Sequence, residues 1–119
     1  MVRQTTLFRR GALFDEALAV IEQEYADENL SLGSVARSIA TSRRQLQRVF
    51  GERRTSFRAE LQRVRMTKAA ELLRVGRIPV SAVARSVGYR QPAQFSKAFR
   101  RHHGRPPSEM RAIGDRLAA

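Results

Sequence analysis

An all-helical fold, with a pair of helices around a tight turn occurring twice and one long helix between the copies, is what three features of this 119-residue sequence predict. Apolar residues recur at three- and four-residue spacing almost everywhere, and nowhere in the strict alternation of a half-buried strand. A six-residue segment, Val35-Ala36-Arg37-Ser38-Ile39-Ala40, returns as Val83-Ala84-Arg85-Ser86-Val87-Gly88. Between the copies lies one uninterrupted helical stretch.

The first amphipathic stretch places Phe14, Ala17, Leu18, Ile21 and Tyr25 on one face, with Asp15, Glu16, Glu22 and Glu24 mainly off it. It reads as a helix from about Gly11 to Asp27. In the first copy of the repeat Ser31 caps a helix running to about Ala40, and Thr41-Ser42 forms the break. Ser42-Arg43-Arg44-Gln45 matches a capping box, with Ser42 at the N-cap and Gln45 three residues on. The helix that follows contains Leu46-Gln47-Arg48-Val49-Phe50.

The central stretch, from Ser56 to about Val75, has Phe57, Leu61, Val64, Leu72 and Leu73 as its expected buried positions and stops at Gly76. About 19 residues at 1.5 Å each give roughly 28 Å. That is close to the ~34 Å between successive major-groove faces on one side of B-DNA. In the second copy Pro79 opens the helix and Gly88 ends it in a left-handed conformation. Pro92 then stands in a first helical turn, where proline is tolerated. Gln91 is a poor N-cap beside serine or aspartate. The helix after it contains Phe95-Ser96-Lys97-Ala98-Phe99. The offset between copies is 48 before the turn and 49 after it, so the second turn is one residue longer. Two copies are too few for a solenoid, which needs about three. The organisation expected is 1–55 for the N-terminal helix and first unit, 56–75 for the linking helix, and 76–119 for the second unit and tail.

Composition narrows the function. There are 23 basic residues against 11 acidic ones, a formal net charge of +12. Residues 1–36 hold three arginines against six acids, and residues 37–119 hold twenty basic residues against five acids. A basic working surface for a polyanion, with an acidic face elsewhere, fits that asymmetry. Only Lys68 and Lys97 among the basic residues are lysine. The planar arginine fork suits bidentate contact with phosphate and guanine. Cysteine is absent, which excludes disulfides, thiolate zinc sites and a cysteine nucleophile. No apolar run reaches the roughly 20 residues of a membrane span, and Met1-Val2-Arg3-Gln4-Thr5 lacks the apolar core of a secretory signal. A cytoplasmic, nucleoid-associated location with no membrane partner is the expectation. His102 and His103 are adjacent rather than on one helical face, and no carboxylate spacing completes a metal set. Ser42 and Ser81 read as cap and turn residues, with no histidine near them to make a nucleophile. No catalytic residue, metal or cofactor is expected.

Helical geometry picks out the residues that would meet DNA. In the first unit Leu46, Val49 and Phe50 turn inward, while Arg44, Gln47 and Arg48 lie opposite, within about a third of the circumference. Arginine matches guanine N7 and O6, and glutamine matches adenine N7 and N6. In the second unit Phe95, Ala98 and Phe99 turn inward, leaving Ala93, Gln94, Ser96, Lys97 and Arg100 outward. That set is chemically softer and suits positioning more than discrimination. Arg43, Arg63, Arg65, Arg100, Arg101 and Arg105 are candidate phosphate contacts, which fix register without reading sequence. Arg53, Arg54 and Arg58 are weaker candidates. An ordinary solvated arginine face is the bland alternative, and the duplication argues against it. A sequence-tolerant nucleoid- or RNA-associated binder would carry the same charge, but Phe8 and Tyr89 are too few aromatics for a base-stacking platform.

Three blocks in order carry a family resemblance: Val83-Ala84-Arg85-Ser86-Val87-Gly88-Tyr89, then Phe95-Ser96-Lys97-Ala98-Phe99-Arg100-Arg101, then Gly104-Arg105-Pro106-Pro107-Ser108-Glu109-Met110-Arg111. With them the chain, from about residue 14 to 113, resembles the DNA-binding domain of the AraC/XylS transcriptional regulators. The resemblance implies about seven helices in two homeodomain-like units. It implies base contacts at Arg44, Gln47 and Arg48 and at Ala93, Gln94, Ser96 and Lys97. It also implies double-stranded promoter DNA and RNA polymerase as partners. Pro92 stands where some relatives carry a polar contact residue, Ala40 where the family often has glycine, and His103 where an aromatic is common. Most relatives carry a sensing or dimerisation domain. With about a dozen residues before its first expected helix, this chain reads as a single-domain, monomeric member or as part of a longer regulator.

Overall fold

The computed structural model describes residues 2–111. It has six helices: α1 (Val2–Glu24), α2 (Leu32–Ser38), α3 (Arg43–Glu52), α4 (Phe57–Val75), α5 (Val80–Ser86) and α6 (Pro92–His103). A seventh helical segment begins at residue 107 and continues to 111, where the described residues end. There is no strand among the described residues.

The chain forms two compact units. One comprises α1 with Leu30–Leu61, the other Tyr25–Asn29 with the chain from Gln62 onward. The first turn of α4 therefore belongs to the first unit and the rest of the helix to the second. In the first unit α1, α2 and α3 pack on one another. Leu13, Ala17 and Ile21 of α1, Val35 and Ala36 of α2, Leu46, Val49 and Phe50 of α3, and Leu61 are buried there. Phe50 is the hub: its ring lies edge-on to Phe14 at 5.6 Å and to Phe57 at 6.4 Å. The second unit buries Met66, Ala69, Ala70 and Leu73 of α4 with Val83, Ala84, Val87, Phe95, Ala98, Phe99 and Met110.

Two boundaries differ from the sequence reading. Helix α1 starts at Val2 and runs straight through Gly11. A lone interior glycine costs about 1 kcal/mol relative to alanine, and the continuing buried face of Leu13, Ala17 and Ile21 offsets that. Arg10 Nη1 also pairs with Glu52 Oε1 at 2.9 Å, fixing the turn beside Gly11 against the end of α3. The same helix stops at Glu24 rather than Asp27, because Asp27 makes an Asx turn in which Oδ1 accepts from the Asn29 amide at 2.9 Å. On α4, Leu61, Val64 and Leu73 are buried as expected, but Phe57 and Leu72 are only half-buried. Met66, Ala69 and Ala70, which sequence reasoning passed over, are buried as well.

Candidate nucleic-acid interface

Each unit presents its second helix through the same turn. After α2 the Ala40 amide donates to Arg37 O at 3.2 Å and the Thr41 amide to Ala36 O at 2.9 Å. After α5 the Gly88 amide donates to Arg85 O at 3.1 Å and the Tyr89 amide to Ala84 O at 3.0 Å. Both are Schellman motifs, which satisfy carbonyls left over at a helix end and need one left-handed residue. That residue is Ala40 at φ 55° in the first turn and Gly88 at φ 90° in the second. A hydroxyl in each preceding helix repeats too: Ser38 donates to Val35 O at 2.7 Å and Ser86 to Val83 O at 2.8 Å.

The N-termini differ. Ser31 and Ser34 cap α2 reciprocally, each side-chain oxygen accepting from the other's amide at 3.0 Å. Ser42 caps α3, accepting from the Gln45 amide at 3.1 Å. The box expected there is half formed, because the Gln45 side-chain Oε1 accepts from the Thr41 hydroxyl at 2.9 Å and Gln45 does not reach back to Ser42. In the second unit Pro79 and Gln91 occupy the N-cap positions and neither gives a side-chain hydrogen bond. Pro92 takes the first position of α6, where no amide hydrogen is needed.

These helices divide by face. On α3 Leu46, Val49 and Phe50 are buried, and Arg44, Gln47 and Arg48 are exposed on the opposite side. On α6 Phe95, Ala98 and Phe99 are buried; Ala93, Gln94 and Lys97 are exposed and Ser96 is half-buried. No side-chain hydrogen bond or ion pair among the described residues engages Arg44, Gln47, Arg48, Gln94 or Lys97. Arg43, Arg100, Arg101 and Arg105 are exposed and likewise unengaged among those residues, and Arg63 is exposed on α4. Three cations near these faces have other work. Arg53 lies over the Phe14 ring at 4.4 Å. Arg90 pairs with Glu28 at 3.1 Å and donates to Asn29 Oδ1. Arg65 donates from Nε to Tyr25 O at 2.8 Å and from Nη2 to Asp27 O at 2.9 Å, half-buried against Tyr89. Burial pulls its pKa below the usual guanidinium value, with Tyr89 and Asp27 opposing.

At the far end of α6 the histidines separate in role. The half-buried His103 ring lies 4.4 Å from Phe99 and its Nε2 is 3.0 Å from Met66 O, so it fills the aromatic place and holds α4. His102 is exposed, and partial burial, His103 and the Arg63 charge hold its pKa below the ordinary value. Among the described residues no group of three or more His, Cys, Asp or Glu is placed to hold a metal, and no helix is long and apolar enough to cross a membrane. Arg111, which closes the third sequence block but was given no role there, donates from its guanidinium to Gly76 O at 3.3 Å and to Ile78 O, tying off the end of α4.

A family model described as a helix-turn-helix domain matches residues 35–113. The arabinose operon regulatory protein of Escherichia coli K12 is 33% identical over 98 residues, covering 82% of this chain and 34% of its own length. The chain spans from about a fifth to about two fifths of the length of such curated relatives. A transcriptional regulator of Chromobacterium violaceum, described as containing an AraC-type DNA-binding domain, superposes with a TM-score of 0.81 at 27% identity, covering 87% of this chain and 93% of that one. The DNA-binding domain of the global transcriptional factor AdpA, solved in complex with a target DNA, gives 0.75 at 25% identity, covering 83% of this chain and 89% of that one.

Proposed function

This chain belongs to the AraC-type helix-turn-helix domain family, and from that premise we infer that it binds double-stranded DNA sequence-specifically as the DNA-binding part of a transcriptional regulator. The observation that carries the inference is the pair of outward faces on α3 and α6, at matching positions of a repeated turn, whose polar side chains are left unengaged among the described residues. Such a face, backed by an apolar one, is what a recognition helix in a major groove requires. Arg44, Gln47 and Arg48 would read base edges from α3. Gln94 and Lys97 would do so from α6, with Ala93 and Ser96 offering small surfaces to thymine methyls. Arg43, Arg63, Arg100, Arg101 and Arg105 would hold phosphates. Arg65, whose fork is on backbone carbonyls, drops out of that set.

Reading of two successive major-groove faces, one by the second helix of each unit, belongs to the same proposal on family grounds. Promoter DNA as target, RNA polymerase as partner and binding as a monomer complete the proposal on family grounds. Selection of sites from a random duplex pool near physiological salt tests it. Two unlike conserved blocks within roughly 15–20 base pairs support it. A flat profile with affinity set by salt alone would replace it with a sequence-tolerant binder.

A further inference from the structure

Arg65 stands at the centre of a chain of contacts that ends on the second recognition helix. Its Nε and Nη2 grip the carbonyls of Tyr25 and Asp27 at 2.8 and 2.9 Å. Its guanidinium carbon lies 5.6 Å from the centre of the Tyr89 ring. The turn before α6 closes down on it so tightly that a Cβ on Gly88 would come within 2.8 Å of Nη2, 2.9 Å of the guanidinium carbon and 2.8 Å of Tyr25 O. Tyr89 in turn meets Phe95 edge-on at 5.6 Å and 68°. Phe95 is fully buried in the first turn of α6, between Gln94 and Ser96 in sequence. Connector, arginine, turn and helix thus touch in series inside one unit.

We propose that Arg65 is a positioning residue that sets how α6 is presented to DNA, and so which bases it reads, without itself touching base or phosphate. The proposal rests on the two-helix reading above. A planar fork is needed: it spans two carbonyls while its central carbon lies over the Tyr89 ring and packs closely on Gly88. An ammonium group is a hydrated point charge that cannot do all three. That separates this role from a phosphate contact, where a lysine still supplies the point charge that a phosphate binds.

The test compares Arg65→Lys and Arg65→Ala with the parent chain by site selection and by the salt dependence of affinity. Thermal melting is followed alongside, at a temperature where the variants stay folded. Both variants are expected to lose about tenfold or more of the discrimination in the block read by α6. The block read by α3 should be kept, with the salt slope unchanged. A slope that falls by about one in Arg65→Ala and recovers in Arg65→Lys would make Arg65 a phosphate contact and overturn the proposal. An unaltered α6 block would overturn it, as would loss of folding in both variants, which would make Arg65 a residue of the fold alone. Failure of the underlying reading shows separately, because the parent chain itself would then select no second block.

Discussion

At the end of α2 the chain passes through Ala40 at φ 55°, and at the matching point after α5 through Gly88 at φ 90°. The hydrogen bonds around the two residues are the same, so the difference lies in what surrounds them. Ala40 is exposed and carries its Cβ into solvent at the expense of left-handed strain. Gly88 is buried, with Arg65 and Tyr25 where a Cβ would go. One motif is thus held in the first unit by side-chain caps on both helices, Ser31 and Ser42, despite a strained turn. In the second it is held by an unstrained turn seated on an arginine, with no side-chain cap at either helix. Equivalent backbones need not be stabilised at equivalent places.

The sharpest way to break that comparison is to exchange the turn residues. Gly88→Ala should lose about 3 kcal/mol or more in urea unfolding, from a left-handed φ and a clash that the backbone of Tyr25 cannot relieve. Ala40→Gly should gain about 0.5–1 kcal/mol, strain relief exceeding the added entropy of the unfolded chain. Similar small effects at both positions would mean the turns are interchangeable. The reading faces come next. Arg48→Ala should cost about 1–3 kcal/mol on a matched duplex and relax the preference at one base. Lys97→Ala, at the matching place on α6, should cost less, and Arg101→Ala should weaken all duplexes alike while lowering the salt slope by about one. Equal losses on matched and random DNA from all three would erase the division between reading and anchoring. A smaller step concerns the caps. Ser42→Ala should destabilise by about 1 kcal/mol, and Gln91→Ser should stabilise by somewhat less, because only the first site has a cap to lose.

The smallest effect separates the helix ends. Where α3 finishes with Glu52 and Arg53, α6 finishes with His102 and His103. His102 is held below the ordinary imidazole value, so the unfolded chain takes up a proton that the folded chain resists. Stability is therefore complete above the ordinary value near 6.5 and falls slightly as pH drops through it toward the folded value. His102→Gln should flatten that slope, read as melting temperature against pH, and an unchanged slope would assign it to another group.

How much of this was legible depended on the kind of interaction. The inward faces of α3 and α6 were readable because burial repeats with the helix, and Leu46, Val49, Phe50, Phe95, Ala98 and Phe99 all lie where periodicity put them. Left-handed closure at Gly88 was readable because glycine favours that conformation. Met66, Ala69 and Ala70 were not: small or flexible residues on a long helix give a weak periodic signal, yet close packing selects them. The start of α1 was hidden by Gly11, which reads as an ending only when the partner surface beyond it is unknown. Arg65 was least legible. Its acceptors are backbone carbonyls 40 and 38 residues away, and a carbonyl has no letter in a sequence.

The extra residue in the second turn is Arg90, since Thr41 matches Tyr89 and Ser42 matches Gln91. Its position explains how a duplicated unit can change length and keep its faces. Between the closing hydrogen bond at Tyr89 and the start of α6 the backbone has no helical phase to preserve, so an insertion there rotates nothing. Three residues later the same insertion would turn every following side chain by about 100° and carry Phe99 off the core. The added residue is also occupied: its guanidinium reaches Glu28 and Asn29. Divergence between the copies has been admitted at the one link where length is free, and the slack has been fastened down.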